Sequence, residues 1–269
     1  MRERIGDWLS RYLTKPLPGL ATLEPVETGQ LAACLRPGDV LVVEGNTRIG
    51  TAIKYLTQST WSHAALYVGE AYQEAGGGPR GLIEADVRAG VRRVGLETLA
   101  GLHSRICRPV GLSDEEVERL IDFVGARLGH RYDLSNVIDL ARYLLPTPPV
   151  PSRWRRPLLG LGSGDPTRAI CSTLIAQAFQ SIGYPILPRV TSAQSLDPAC
   201  RGCEIRVLYP RHYSHFVPRD FDVSPYFQVI KPTLDRHFDH RRLIWGEPPD
   251  TSATQASNGA IPGDGASGA

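Results

Sequence analysis

One of the five cysteines lies where a thiol could act as a nucleophile. Cys171 opens an apolar segment that ends near Ile182 and has the spacing of a helix. At a helix N-terminus, free backbone N–H groups and the positive end of the dipole favour the thiolate. The same N–H groups can stabilise the oxyanion that forms when sulfur attacks a carbonyl. A cysteine in an apolar segment is more often a small core residue, so the nucleophile hypothesis requires a partner base.

His63 and Glu84 could complete a catalytic triad with this cysteine. His63 begins the predicted strand 63–68, where an imidazole at the rim of a cleft could take the thiol proton and later protonate the leaving group. Glu84 lies in the apolar strand 81–85, where a carboxylate needs a partner. If the two strands pair, Glu84 can reach the far ring nitrogen of His63 and fix its tautomer. If they do not, His63 is a structural residue and Glu84 a surface charge on an edge strand.

A second constellation, formed by Cys200, Cys203, His212 and His215, invites a zinc interpretation. The eight residues between the two pairs, and the two between the histidines, are fewer than zinc fingers have. We therefore expect no metal and interpret Cys200 and Cys203 as thiols in a turn, with a redox pair as the alternative. An odd number of cysteines without a recognisable signal peptide argues against a disulfide framework.

Short strands joined by tight turns precede the cysteine helix. The predicted elements are strands at 40–43, 63–68, 81–85, 91–94 and 104–109, and a helix at 48–57. This succession favours an antiparallel sheet. Ser113 and Glu116 form a capping box that starts a helix reaching Gly129, and a second helix follows at 134–145. Residues 204–231 are expected to add short strands that close the sheet.

Several short motifs, in this order, resemble the permuted papain-like amidases (YiiX/YaeF-like) of the NlpC-like cysteine hydrolase superfamily. They are Arg36–Leu41, Ile53–Thr57, Trp61–Gly69, Ile83–Ala85 with Gly90-Val91, Ile170–Ile175, and Val217–Phe221 with Ser224, Pro225 and Phe227. The resemblance covers about 36–231, which is most of the part expected to be ordered.

The resemblance implies an α+β, circularly permuted papain-like fold, in which an antiparallel sheet or half-barrel packs against helices that include the nucleophile helix. It implies cleavage of an amide or ester bond through a thioester on Cys171, with His63 as general base and acid, Glu84 orienting it, and no cofactor or metal. The substrate would be a small molecule, a peptide or an acyl compound. Two alternatives stay open: a lipid acyltransferase or deacylase of the same fold at a membrane surface, and a non-catalytic binding module.

Two further groups of residues are candidates for substrate contacts. Tyr55 and Gln58, near the histidine strand, could provide an oxyanion donor beside the backbone N–H of Cys171. The Pro/Arg-rich loop 146–168 immediately precedes the cysteine helix. Its arginines are Arg153, Arg155, Arg156 and Arg168. They could attract a substrate carboxylate or phosphate, or could be solvated surface charges.

The composition is that of a globular protein. Of 269 residues 42% are hydrophobic, and a net charge of +2 is too small to indicate nucleic-acid binding. We predict an amphipathic helix within 1–20, a hydrolase domain over 21–247 and a disordered tail over 248–269. The helical pattern at 2–15 suits either docking on the domain or resting on an anionic membrane. We expect a cytoplasmic protein, with peripheral contact at the inner membrane face as a further option.

Overall fold

The structure is a computed structural model that describes residues 11–12, 14–16, 26–69, 81–87, 89–99, 101–130, 171–194, 200, 203–233 and 239–242. The chain divides into two compact units, residues 1–233 and 234–269. The second unit contains a short 3-10 helix at His240–Arg242. Several predicted features lie outside the described residues. They are the helix 134–145, the loop 146–168 with its arginines, the tail 248–269 and most of the helix predicted at 2–15.

A six-stranded antiparallel sheet is the framework of the first unit. The strands in the described residues are β1 (Val40–Val43), β2 (His63–Tyr67), β3 (Leu82–Asp86), β4 (Gly90–Val94), β5 (Ser104–Pro109), β6 (Arg189–Gln194), β7 (Glu204–Tyr209) and β8 (Phe227–Ile230). Six of them form the sheet in the order β4-β3-β2-β1-β5-β8. The predicted α+β class with an antiparallel sheet is confirmed.

Five helices accompany the strands in the described residues. They are α1 (Thr28–Cys34), α2 (Arg48–Thr57), α3 (Asp114–Gly125), α4 (Cys171–Ser181) and α5 (Pro218–Asp222). The capping box predicted at Ser113 and Glu116 is present at the start of α3, so the local sequence alone fixes where this helix begins. None of the helices in this described part is long and apolar enough to cross a membrane.

Both faces of the sheet are covered, which explains why β1 is apolar at every position. Alternate residues of a strand point to opposite faces. Val40 and Val42 belong to a hydrophobic cluster with α3 and α4, whereas Leu41 and Val43 belong to a second cluster with α1 and a 3-10 helix at Leu96–Leu99. The packing holds α4 against the sheet, where it also contacts β2.

Strands β6 and β7 form a separate two-stranded ribbon. We expected 204–231 to close the sheet, and this is wrong for β7, because only β8 pairs with the sheet, through β5. Nearly every residue of β7 is exposed, so the strand has no buried face that would require a place in the sheet.

Cys200 and Cys203 are joined by a disulfide in the segment that connects β6 to β7. Our expectation of free thiols in a turn is therefore wrong. The local turn, in which the Cys203 N–H donates to the Cys200 carbonyl, brings the two Cα atoms to 5.5 Å, a separation that a disulfide spans without backbone movement.

Candidate active site

Cys171 is the first residue of α4, as the sequence predicts, and it is buried. Its sulfur accepts hydrogen bonds from two backbone N–H groups, those of Ala64 and Ser172. Ser172 belongs to the first turn of the same helix, whose N–H groups have no partner within the helix. Ala64 belongs to β2, so the sulfur lies where the helix terminus meets the start of this strand.

His63 is the first residue of β2 and lies opposite Val43 of the neighbouring strand. Its Nε2 lies 2.7 Å from Oε2 of Glu84, and its ring also hydrogen bonds with Cys171. Because Nε2 faces the carboxylate, Nδ1 is the ring nitrogen left for the thiol. The structure thus brings together Cys171, His63 and Glu84, in the order that the triad hypothesis requires.

The register of the strands explains how Glu84 reaches His63. Leu66 pairs with Ile83 between β2 and β3, and extension of this register sets Glu84 opposite Ala65. His63 and Ala65 point to the same face, so His63 and Glu84 form a diagonal cross-strand pair. Glu84 is only 4% exposed, and both of its oxygens have partners.

Arg92 is a fourth member of the site that sequence analysis missed. It lies opposite Glu84 in the β3–β4 hairpin and donates to Oε1 through Nε at 2.9 Å and Nη2 at 2.7 Å. Three residues separate Asp86 from Gly90, whose φ of +75° is a conformation that favours glycine. Counting back from this turn would have placed Arg92 opposite Glu84.

The three acidic and basic groups hold one another in their charged forms. Burial acts against the imidazolium, but Cys171 and Glu84 outweigh it and raise the pKa of His63 to about 10. Burial would also raise the pKa of Cys171, but His63 and the two backbone N–H groups lower it. Glu84 is buried as well, yet His63 and Arg92 lower its pKa to about 2. These shifts all favour a thiolate–imidazolium pair beside a carboxylate.

A cavity of about 250 Å³ opens beside this group. Cys171, His63, Glu84 and Arg92 contribute to its lining, together with Thr14, Val43, Gly45, Asn46, Thr47, Ile49, Gly50, Ile53, Ser62, Ala85, Asp86, Val87, Thr98, Leu99 and Leu102. The thiolate is therefore accessible to a small substrate from this side.

The predicted oxyanion donors do not line this cavity. Tyr55 is exposed on α2, and the Gln58 side chain donates to the Tyr55 carbonyl at 2.6 Å. Asn46 does line the cavity and carries the same kind of amide donor. Sequence analysis missed Asn46 because it lies in the loop after β1, where no periodic pattern marks it. The arginines predicted to contact substrate lie outside the described residues.

A short N-terminal segment borders the cavity on one side. Thr14 is part of its lining. On either side of Thr14, the Tyr12 hydroxyl accepts a hydrogen bond from Arg48, and Pro16 forms an isolated bridge with Thr47. The guanidinium of Arg48 also lies 4.2 Å from the centre of the Tyr12 ring. Residues 12 and 14–16 therefore dock on the first turn of α2.

Hydrogen bonds and an ion pair fix the chain just before His63. Trp61 is buried, and its Nε1–H donates to Oδ2 of Asp222 at 2.9 Å. Arg105 holds the same carboxylate at 2.7 Å. The Ser62 hydroxyl accepts from the Gly45 N–H at 2.8 Å. His63 therefore begins β2 from a backbone that is anchored on two sides.

The zinc interpretation finds no support in the described residues. The disulfide removes Cys200 and Cys203 as thiolate ligands. In the same part of the chain, no group of three or more His, Cys, Asp and Glu side chains is arranged to hold a metal ion.

Comparisons with known proteins give likenesses to solved structures and none to protein families or curated sequences. No protein-family model and no curated protein sequence matches the chain. Among solved structures, a crystal structure of YiiX from Escherichia coli O157:H7, described as a metalloprotein and assigned to DUF1105, is similar at 16% sequence identity. The match covers 73% of this chain and 96% of YiiX, with a TM-score of 0.43. A likeness at this level carries no information about activity.

Proposed function

We propose that this protein is a cysteine-dependent hydrolase of permuted papain-like fold that cleaves an amide or ester bond. The observation that supports this best is the continuous chain of contacts from Cys171 through His63 to Glu84, with the sulfur at a helix N-terminus beside a cavity. His63 and Glu84 precede Cys171 in the sequence, which is the permuted order of these groups.

The proposed reaction uses two half-reactions at the same sulfur. The Cys171 thiolate attacks the carbonyl carbon, and the Nδ1–H of the His63 imidazolium protonates the leaving amine or alcohol as its bond to the carbonyl breaks. This leaves a thioester on Cys171 and a neutral His63. Water then gives a proton to Nδ1 and attacks the thioester, which releases a carboxylic acid and restores the thiolate–imidazolium pair.

Glu84 and Asn46 have separate roles in this proposal. Glu84 accepts the Nε2–H of His63 in every step and so keeps the ring oriented towards the sulfur. Asn46 lines the cavity and would donate to the oxyanion together with the backbone N–H of Cys171. Tyr55 and Gln58 would need to move to reach the carbonyl, since neither lines the cavity.

Alkylation kinetics test the thiolate directly. With iodoacetamide at about pH 6 we expect Cys171 to react fastest of the free cysteines, because its pKa is lowered. Cys34, which is not part of this arrangement, is the internal reference for the rate. Cys107 should react slowest, since it is buried and its thiol pKa is raised.

Turnover tests the hydrolase itself. Against a panel of amides, esters and peptides, Cys171→Ala and His63→Ala should lose hydrolysis, whereas the matched variant Cys34→Ala should keep it. Wild-type protein should accumulate an acyl adduct on Cys171 that mass spectrometry detects. A Cys171 that alkylates no faster than Cys34 would support the non-catalytic binding module instead.

A further inference from the structure

Apolar side chains from several elements line the cavity beside the triad. Ile49 and Ile53 lie one turn apart on α2 and so face the same way. Val43 of β1, Leu99 of the 3-10 helix and the following Leu102 line the same cavity. Val43, Ile49 and Leu99 are buried, so this wall is part of the core.

The charged side chains that line the cavity are occupied by one another. Arg92 donates twice to Oε1 of Glu84, and its Nη2 lies 3.8 Å from Oδ2 of Asp86. The other oxygen of Glu84 is taken by His63. Among the described lining residues, therefore, each of these charges already has a partner, and a charged substrate group would have to compete for one of them.

The size of the cavity limits what can enter it. An apolar cavity of about 150 Å³ is large enough for benzene, so about 250 Å³ has room for about ten heavy atoms. The reacting carbonyl and the first atom of the leaving group take up part of this volume. An acyl chain of about six to eight carbons fills the remainder.

We infer that this cavity is an acyl pocket that takes an uncharged, apolar acyl group of medium length. The inference rests on the proposed hydrolase function and gives it a substrate class: esters, thioesters or amides of medium-chain acids, which the enzyme would release as the free acid.

A chain-length series of p-nitrophenyl esters, from acetyl to myristoyl, tests the pocket in the full-length protein. We expect kcat/KM to rise about fourfold per methylene, the effect of burying one CH₂, and to stop rising near the hexanoyl or octanoyl ester. The mono-ester of succinic acid should be at least about tenfold poorer than the butyryl ester, since its carboxylate would be buried without a partner.

Two variants of residues that line the cavity, and a matched control, test whether the cavity sets the chain-length optimum. Ile53→Phe should move the optimum to shorter chains, and Leu102→Ala should move it to longer ones. Ile205→Phe, a substitution on the exposed ribbon, should leave the optimum unchanged. Thermal unfolding of each variant shows that it is folded, and the partly exposed Ile53 and Leu102 give two independent chances of a folded variant.

The outcomes separate this inference from the hydrolase proposal. A flat chain-length profile, an optimum at myristoyl, or an optimum that neither wall variant moves would overturn the pocket while Cys171-dependent turnover stands. If Cys171 alkylates as a thiolate yet no straight-chain ester acylates it, the acyl pocket is also overturned. Loss of thiolate reactivity itself would instead contradict the hydrolase proposal.

Discussion

The two oxygens of Glu84 serve two different donors. Oε2 accepts from His63, while Oε1 accepts both hydrogen bonds from Arg92. Arg92 therefore keeps the carboxylate ionised and limits its rotation, so that one oxygen always faces the imidazole. The carboxylate has a pKa of about 2 against an ordinary value of 4.5. Its contribution to stability is present above pH 4.5 and is lost as the pH falls towards 2.

The pH profile of kcat/KM reports on the same contact. In the proposed mechanism activity requires the imidazolium, so activity should be lost as the pH rises through the His63 pKa of about 10. Glu84→Gln removes the negative charge that stabilises the imidazolium. The alkaline limb should then move down by about one pH unit or more.

Glu118→Gln is the matched control for this profile, because Glu118 is an exposed carboxylate on α3. It should leave the alkaline limb in place. An alkaline limb that stays put in Glu84→Gln would mean that Glu84 does not act on His63 in the working enzyme.

A second residue-scale prediction concerns the oxyanion donor. Asn46→Ala should lower kcat about 100-fold with little change in KM, the usual effect of removing one such donor. Gln58→Ala removes the same amide from a position outside the cavity and should change kcat by less than about twofold. A larger loss in Gln58→Ala than in Asn46→Ala would restore the assignment suggested by sequence alone.

The bounds of the individual helices and strands show what the sequence can predict. The strands at 40–43 and 104–109 and the helix at 48–57 have the bounds that were predicted. The strands predicted at 63–68 and 91–94 differ by one residue at one end, and the strand predicted at 81–85 is shifted by one residue. These elements are short apolar runs between turn residues, a pattern that local chemistry sets. The ribbon strand β6 lacks such a pattern, because Thr, Ser and Gln occupy half of its six positions.

The sequence does not predict which residues pair across neighbouring strands, or which strands are neighbours. Cys171, His63 and Glu84 each carry a local signal: a helix start, a strand start and a carboxylate in an apolar strand. Arg92 carries none, since nothing in the sequence separates it from Arg93 until the hairpin register is known. The partner of β7 was mistaken for the same reason, because a strand pattern specifies a strand and leaves its neighbour open.

At the scale of the whole molecule, the sheet keeps the site and a buried ion pair at opposite ends of β1. His63 pairs with Val43 at one end. Beyond Val40 at the other end, Asp39 accepts from Nε of Arg108 at 2.8 Å and from Nη2 at 2.7 Å. Arg108 also donates to the Cys34 carbonyl at 2.6 Å, so the pair links β1 and β5 to the end of α1.

This separation predicts a substitution that weakens the fold and leaves the chemistry intact. Asp39 is 1% exposed, and Asp39→Ala leaves the partly buried Arg108 guanidinium without its carboxylate. The free energy of unfolding should fall by about 3–5 kcal/mol, measured by urea denaturation. The double variant Asp39→Leu, Arg108→Met should recover much of this loss, because it removes both charges from the interior.

Below the unfolding transition, the Asp39→Ala protein should keep the faster alkylation of Cys171 relative to Cys34 at about pH 6. The thiolate depends on His63 and on two backbone N–H groups at the other end of the strand. If Asp39→Ala instead slowed Cys171 alkylation while the protein stayed folded, the ion pair would have to act on the site through β1. If the free energy of unfolding of Asp39→Ala fell by less than about 1 kcal/mol, the Asp39–Arg108 pair would behave as a surface salt bridge, in which solvent screens the charges.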